Sequence, residues 1–462
     1  MLPRIVPQFL RQPAGRLAPV LAPVLASVLA PVLAPVLAPV LASFTALVLA
    51  VPAAGAMERS SPQALGLSTA QLTTLRTELQ RRTDARELPG AVFLVAKDGK
   101  IGAIEAVGLQ DPQQKIPMRE NSIFRIASMT KPIVSVAAMM LVERGRLALR
   151  DPVSKHLPEF QTMRVAVEER DAQGRVTVRE EPARSTMTVH DLLRHTAGLS
   201  YGTFDNSHVD RLVREAGVLA TDQTLGEQIA KLARLPLKHQ PGSTFEYSLS
   251  VDVLGRIIEV VSGQELDQFI QEQITGPLKM PDTGFWVPPA NHARIAFPQI
   301  DPATGKPHFD RPVETRPKRL NAGGGMVSTA MDYARFCQML LNGGQLDGVR
   351  LLSPKSVELM TSDHLPPNLK FAPRYAAARN VLTPLPDLGM GFGLGFAVRT
   401  HPGRSTVHGS VGDYWWSGST GTNFVVDPAH RLIMILLTQQ PDRLAEYMAL
   451  MRNMGYPLLL AR

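Results

Sequence analysis

Cysteine is almost missing from this chain: its 462 residues hold one, Cys337. A lone thiol excludes an intramolecular disulfide, and its apolar neighbours Phe336, Met339, Leu340 and Leu341 point to a buried structural thiol. Runs of basic residues are missing too. The formal net charge is +8, but Arg4, Arg11 and Arg16 fall in an acid-free leader, and their removal leaves +5. The remaining charges are scattered, so nucleic acid is not an expected partner. The histidines lack metal-ligand spacing, such as His-x-x-x-His with an acid. Gly323-Gly324-Gly325 lacks the Lys-Ser/Thr of a phosphate loop. Chemistry without metal or cofactor is therefore expected. After residue 56 no stretch reaches the roughly 20 apolar residues a membrane helix needs.

The first 56 residues differ in composition from the rest. Three arginines precede a charge-free stretch, 17–56, in which Leu-Ala-Pro-Val units recur every four residues. Proline at that spacing opposes a stable spanning helix. The proline-free run 40–51, followed by Ala54-Gly55-Ala56, reads as an apolar core and cleavage site. The expectation is a secretory leader over 1–56 with a repeat-expanded front, and a periplasmic or secreted domain over 57–462. No cysteine follows the leader to carry a lipid anchor.

Ser128-Met129-Thr130-Lys131 is the most informative stretch present. Three residues on a helix turn through about 300°, so hydroxyl and amine share a face. Serine is a poor nucleophile until a neighbouring base takes its proton, and a desolvated lysine can serve as that base. Pro132 is tolerated only in a first helical turn, so the helix starts near Ser128 and runs through 134–144 to Gly145. That places Ser128 at the positive end of a helix dipole, where a developing oxyanion is stabilised.

Helices are expected over 72–82, 188–194, 225–235, 251–262, 328–342 and 443–454. Strands are expected over 90–96, 101–108, 392–398, 424–427 and 432–438, with an exposed hairpin at 164–181 and a proline-rich loop over the site at 281–317. The fold class expected is α+β: an antiparallel sheet built from both ends of the chain (about 57–125 and 385–462), flanked by helices, with a mainly helical region inserted at about 126–384.

Two further segments fit around the serine. Tyr247, at a turn before the helix 251–262, can project its phenol into a cleft and shuttle a proton, although taken alone a buried tyrosine with a satisfied hydroxyl is the favoured reading. The small residues of Trp416-Ser417-Gly418-Ser419 let another backbone approach closely. A backbone N–H there could complete an oxyanion hole with that of Ser128, although an ordinary glycine-rich hairpin also fits.

Together these segments resemble the serine β-lactamase-like superfamily, with the β-lactamase/penicillin-binding-protein-like fold. The pattern is similar to the class C β-lactamase branch and its esterase relatives, the family VIII carboxylesterases. Supporting matches are His190-Asp191-Leu192-Leu193-Arg194-His195-Thr196-Ala197-Gly198-Leu199 and Ala322-Gly323-Gly324-Gly325-Met326-Val327-Ser328-Thr329. The resemblance implies Ser128 as acyl-accepting nucleophile and Lys131 as holder or receiver of its proton. It implies Tyr247 as general base or acid, and the N–H groups of Ser128 and Ser419 as oxyanion hole. Two departures bear on substrate. Leu249 stands where β-lactamases carry an asparagine, and Trp416-Ser417-Gly418 where they carry Lys-Thr-Gly. Both changes argue against β-lactam or D-Ala-D-Ala recognition and for a small ester, with Trp416, Ser417, Gly418 and Leu249 as substrate-binding residues. The alternatives are a β-lactamase or D-Ala-D-Ala carboxypeptidase, and a non-catalytic binding protein that keeps the fold.

A rival serine stands in Gly198-Leu199-Ser200-Tyr201-Gly202, which matches the nucleophile elbow Gly-x-Ser-x-Gly. That elbow requires a strand before it and a helix after it, and the flanking residues suit neither, so Ser200 is expected to be structural.

Overall fold

Strands from the early and late parts of the described chain share one sheet. A computed structural model describes residues 57–173, 175–301, 303–378 and 384–460, so the expected leader lies outside the described residues. The sheet strands are β1 (Gly90–Lys97), β2 (Lys100–Asp111), β3 (Ile116–Pro117), β4 (Met390–Phe392), β5 (Ala397–Arg399), β6 (Tyr414–Gly418), β7 (Thr422–Asp427) and β8 (Leu432–Thr438). Their spatial order is β4-β5-β6-β7-β8-β1-β2-β3, antiparallel throughout. The two halves of the chain meet where β8 pairs with β1, Ala91 opposite Thr438 and Lys97 opposite Leu432.

Both central strands are buried along their whole length. That explains why Leu432-Ile433-Met434-Ile435-Leu436-Leu437 reads as a continuous apolar run and not as an alternation: the sheet is covered on both faces. Five helices matter most: α1 (Thr69–Asp84), α2 (Thr130–Glu143), α3 (Ser250–Ser262), α4 (Ala330–Leu341) and α5 (Leu444–Gly455). Met434 packs against Gly455 of α5, whereas Phe424, which pairs with Ile435, packs on Tyr333 of α4. Successive strand residues face opposite ways, so α4 and α5 lie on opposite faces. Cys337, on α4, is fully buried, and burial raises its pKa well above the ordinary thiol value.

One strand expectation fails. Residues 392–398 form no single strand; β4 and β5 are two arms of a hairpin, with Gly395 between them at φ +97°. A side chain there would strike Ser135 on α2, so the hairpin tip can press against that helix only as glycine. The hairpin expected at 164–181 forms from Arg164–Arg170 and Val176–Pro182, the second arm largely exposed. Among the described residues, no helix is long and apolar enough to cross a membrane.

Candidate active site

Ser128 is delivered by a strained turn. Phe124–Arg125 pairs with Val327–Ser328, a 3-10 turn covers Ala127–Met129, and α2 then begins at Thr130. Ala127 has φ +42°, a left-handed conformation unusual for a residue with a Cβ. The carbonyls ahead of the turn are clamped by the sheet. Thr420 Oγ1 and Gln439 Nε2 donate to Arg125 O at 2.6 and 3.2 Å, and Thr422 Oγ1 donates to Ile126 O at 3.1 Å. Gly418 makes this closeness possible: a Cβ there would sit 2.2 Å from Ile126 O.

Lys131 Nζ lies one helical turn on, 3.2 Å from Ser128 Oγ, and also donates to Gly323 O. It stands 4.6 Å from the Tyr247 ring centre and 5.6 Å from that of Tyr201. Burial opposes its charge, but the phenols of Tyr201 and Tyr247 and the Asp252 carboxylate outweigh burial and raise its pKa above the ordinary lysine value. This departs from the expectation of a lysine made basic by desolvation: the desolvation is present, and three neighbours overcome it.

Tyr247 is fixed from several sides. Its N–H donates to Tyr375 Oη at 3.0 Å, its carbonyl accepts from Arg374 at 3.2 Å, and Trp416 Nε1 donates to its hydroxyl at 3.3 Å. Its ring stacks on Tyr201, with centroids 5.8 Å apart and planes at 17°, and leans on His195 at 4.7 Å. Burial, then the Lys131 and Arg374 charges, hold the His195 imidazole well below the usual histidine pKa, so it is neutral packing.

These groups meet in a cleft of about 790 Å³, lined among others by Ser128, Tyr201, Tyr247, Trp416, Ser417 and Ser419. Ser417 donates its hydroxyl to Asn423 Oδ1 at 2.7 Å. Leu249 does not line the cleft. It is 1% exposed, packed in the core at the start of α3, because the turn that projects Tyr247 outward sends the residue two places on inward. The cleft is also less apolar than Trp416 suggests: Arg125, Arg311, Arg319 and Arg374 line it.

The sequence reading missed Asp252, Tyr201 and Gly323. Asp252 is fully buried at the start of α3, and burial raises its pKa against the pull of Lys131 and Arg319. Its Oδ2 has no hydrogen-bond partner, and its Oδ1 accepts only a long bond from Gly323 N at 3.4 Å. A Cβ on Gly323 would lie 2.6 Å from Asp252 Oδ2 and 3.3 Å from Lys131 Nζ, so only glycine leaves both in place. The visible cue was one acid inside the apolar run Val251-Asp252-Val253-Leu254. Tyr201 belongs to the rival motif, whose serine is structural: Ser200 is buried, donates to Asp210 Oδ1 and accepts from Gly202 N at 2.8 Å.

With this geometry in place, the similarity to known proteins is informative. The beta-lactamase family model matches residues 75–453. The chain belongs to the beta-lactamase family. This beta-lactamase-family chain is 40% identical over 367 residues to Protein Rv1367c of Mycobacterium tuberculosis, covering 78% of this chain and 88% of the relative. It is 34% identical over 399 residues to Esterase EstB of Burkholderia gladioli, covering 82% and 93%. Among solved structures, EstCE1, described as a hydrolase with promiscuous acyltransferase activity, superposes with a TM-score of 0.68 at 25% identity, covering 84% of this chain and 99% of that one. The family and its esterase relatives make this protein a serine hydrolase with the β-lactamase/penicillin-binding-protein-like α+β fold.

Proposed function

We propose that this serine hydrolase is a carboxylesterase for small esters that works through an acyl-enzyme on Ser128. The observation that carries the reading is Ser128 Oγ 3.2 Å from Lys131 Nζ in a cleft walled by Tyr247 and Trp416. Ser128 Oγ bonds to the ester carbonyl carbon, and the oxyanion sits between the N–H groups of Ser128 and Ser419. The serine proton passes to the Lys131–Tyr247 pair, which returns it to the leaving alkoxide. Water then attacks the acyl carbon, gives its proton to the same pair and releases the acid as Ser128 is re-protonated. The pair must lack one proton to accept another. Since Lys131 holds its proton above the ordinary lysine range, kcat/KM should rise with pH into the alkaline range.

Trp416 in place of a carboxylate-binding lysine, and the absence of an amide-binding asparagine at buried Leu249, support esters over β-lactams. The test is turnover of p-nitrophenyl butyrate against nitrocefin, with Ser128→Ala as the blank. Ester turnover should dominate, and the variant should lose at least about 10³-fold and all fluorophosphonate labelling while remaining folded. Dominant nitrocefin turnover, or labelling that persists in the variant, overturns the reading. The leader composition also supports a periplasmic or secreted location. Amino-terminal sequencing of the exported protein should begin near residue 57, and an unprocessed chain retained in the cytoplasm would contradict it.

A further inference from the structure

The cleft holds more positive charge than its own carboxylates balance. Two of its four arginines are occupied. Arg125 donates to Arg311 O at 2.6 Å and to Ala296 O at 3.0 Å, with Asp310 and Glu314 close enough to favour its charge. Arg374 pairs with Glu246 at 2.5 Å and with Asp205 at 3.4 Å, and donates to Tyr375 Oη at 2.8 Å. Arg311 and Arg319 differ. Among the described residues neither guanidinium has an ion-pair or hydrogen-bond partner: Arg311 rests its charge 5.9 Å from the Phe309 ring, and Arg319 Nη1 is buried with no partner at all. The carboxylate that acts on Arg319 is Asp252, which Lys131 already draws on. Arg311 and Arg319 also repel each other.

A buried donor without a partner is costly, and the repulsion between the two cations adds to that cost. A carboxylate entering from outside would relieve both, since a guanidinium fork matches its two oxygens. We propose that the cleft selects esters carrying a carboxylate remote from the scissile carbonyl, with Arg319 as its counter-ion and Arg311 closing on it from the rim. This rests on the esterase reading and narrows it to a substrate class. The reacting ester stays neutral, and the charge sits at the far end of the acyl chain.

Two matched measurements test it. The first is kcat/KM for 4-nitrophenyl adipate, a free acid at its far end, against the same compound capped as its methyl ester. The wild-type protein should prefer the acid at least about tenfold, and Arg319→Gln should lower that ratio about tenfold, with Arg311→Gln lowering it less. Arg319→Lys should retain part of the preference, and melting curves identify any variant that fails to fold. The second is calorimetric binding of monomethyl adipate and dimethyl adipate to Ser128→Ala, which needs no turnover; the monoacid should bind at least about tenfold more tightly. Wild-type protein that favours neither ester, a ratio that survives Arg319→Gln in a folded variant, or equal calorimetric affinities would each overturn the proposal. If neither nitrophenyl ester is turned over yet the monoacid binds preferentially, the esterase reading falls and the anion site stands.

Discussion

Trp415 and Trp416 are neighbours on β6 and face opposite ways. Trp416 donates to Tyr247 in the cleft, and Trp415 lies 4.5 Å below the Arg452 guanidinium on the far side. Each side of the sheet buries aspartates beside arginines, but the carboxylates are treated differently. On the far side all four oxygens of Asp413 and Asp427 accept hydrogen bonds. Arg452 grips Asp413 with two, at 2.9 and 3.0 Å, Tyr456 Oη bridges both acids at 3.2 and 2.9 Å, Ser410 Oγ donates to Asp427 at 2.6 Å, and the His430 N–H donates to Asp427 Oδ1 at 3.2 Å. On the cleft side Asp252 has one long bond and one bare oxygen, and Arg319 Nη1 has none. Carboxylates saturated in this way fix one packing of α5 on the sheet, although among the described residues Arg452 Nε has no hydrogen-bond partner and Arg399 Nε has only an ion-pair contact with Asp413 at 3.3 Å. An unsaturated one leaves field and hydrogen-bonding capacity for substrate.

The contrast predicts opposite outcomes for removing an acid. Asp413→Ala strands Arg452 and Arg399 as buried cations, and should destabilise the fold by about 3–5 kcal/mol in denaturant titration. Urea midpoints equal to wild type would mean that the far cluster is not a structural clamp.

Asp252→Asn should leave stability intact and change the chemistry. Burial raises the Asp252 pKa in the folded state. Its contribution to stability is then full below its unfolded pKa and lost as pH rises through the folded value, so ionisation of Asp252 opposes folding. Without that carboxylate Lys131 holds its proton less tightly. The rising limb of kcat/KM against pH should therefore move toward acid. A limb that stays in place, or a melting temperature that collapses as in Asp413→Ala, would erase the distinction between the two clusters.

The same contrast explains what was legible in the sequence. Ser128, Lys131, Tyr247 and Ser419 sit in local patterns that the family resemblance picks out, and the fold gathers them around one cleft. The sheet strands β1 and β8 declared themselves as apolar runs because both faces are buried. No local pattern announces the roles of Asp252, Tyr201 and Arg319: Tyr201 and Arg319 reach the cleft from separate loops, and Asp252 lies buried at the start of α3, an arrangement that only tertiary packing makes. The hairpin β4–β5 was hidden for a related reason: Gly393 and Gly395 look like weak strand residues until the chain presses them against Met360 and Ser135. Leu249 misled because a motif position was equated with a cleft position, whereas the turn at Tyr247 sends the two residues opposite ways.

The smallest expected effect tests whether the cleft side also stores backbone strain. Ala127 holds φ +42° immediately before Ser128, a conformation that costs a residue with a Cβ about 1–2 kcal/mol. Ala127→Gly removes that strain but adds about 0.5–1 kcal/mol of unfolded-chain entropy, so the two terms nearly cancel and the melting temperature should hardly move. The position of Ser128 Oγ relative to Lys131 Nζ depends on this turn, and a glycine there widens the range of angles at which the hydroxyl is presented. kcat should fall severalfold with little change in KM, since a looser nucleophile weakens the transition state more than the bound ester. An unchanged kcat would mean that the clamps from Thr420, Thr422 and Gln439 fix the turn without help from the Ala127 side chain.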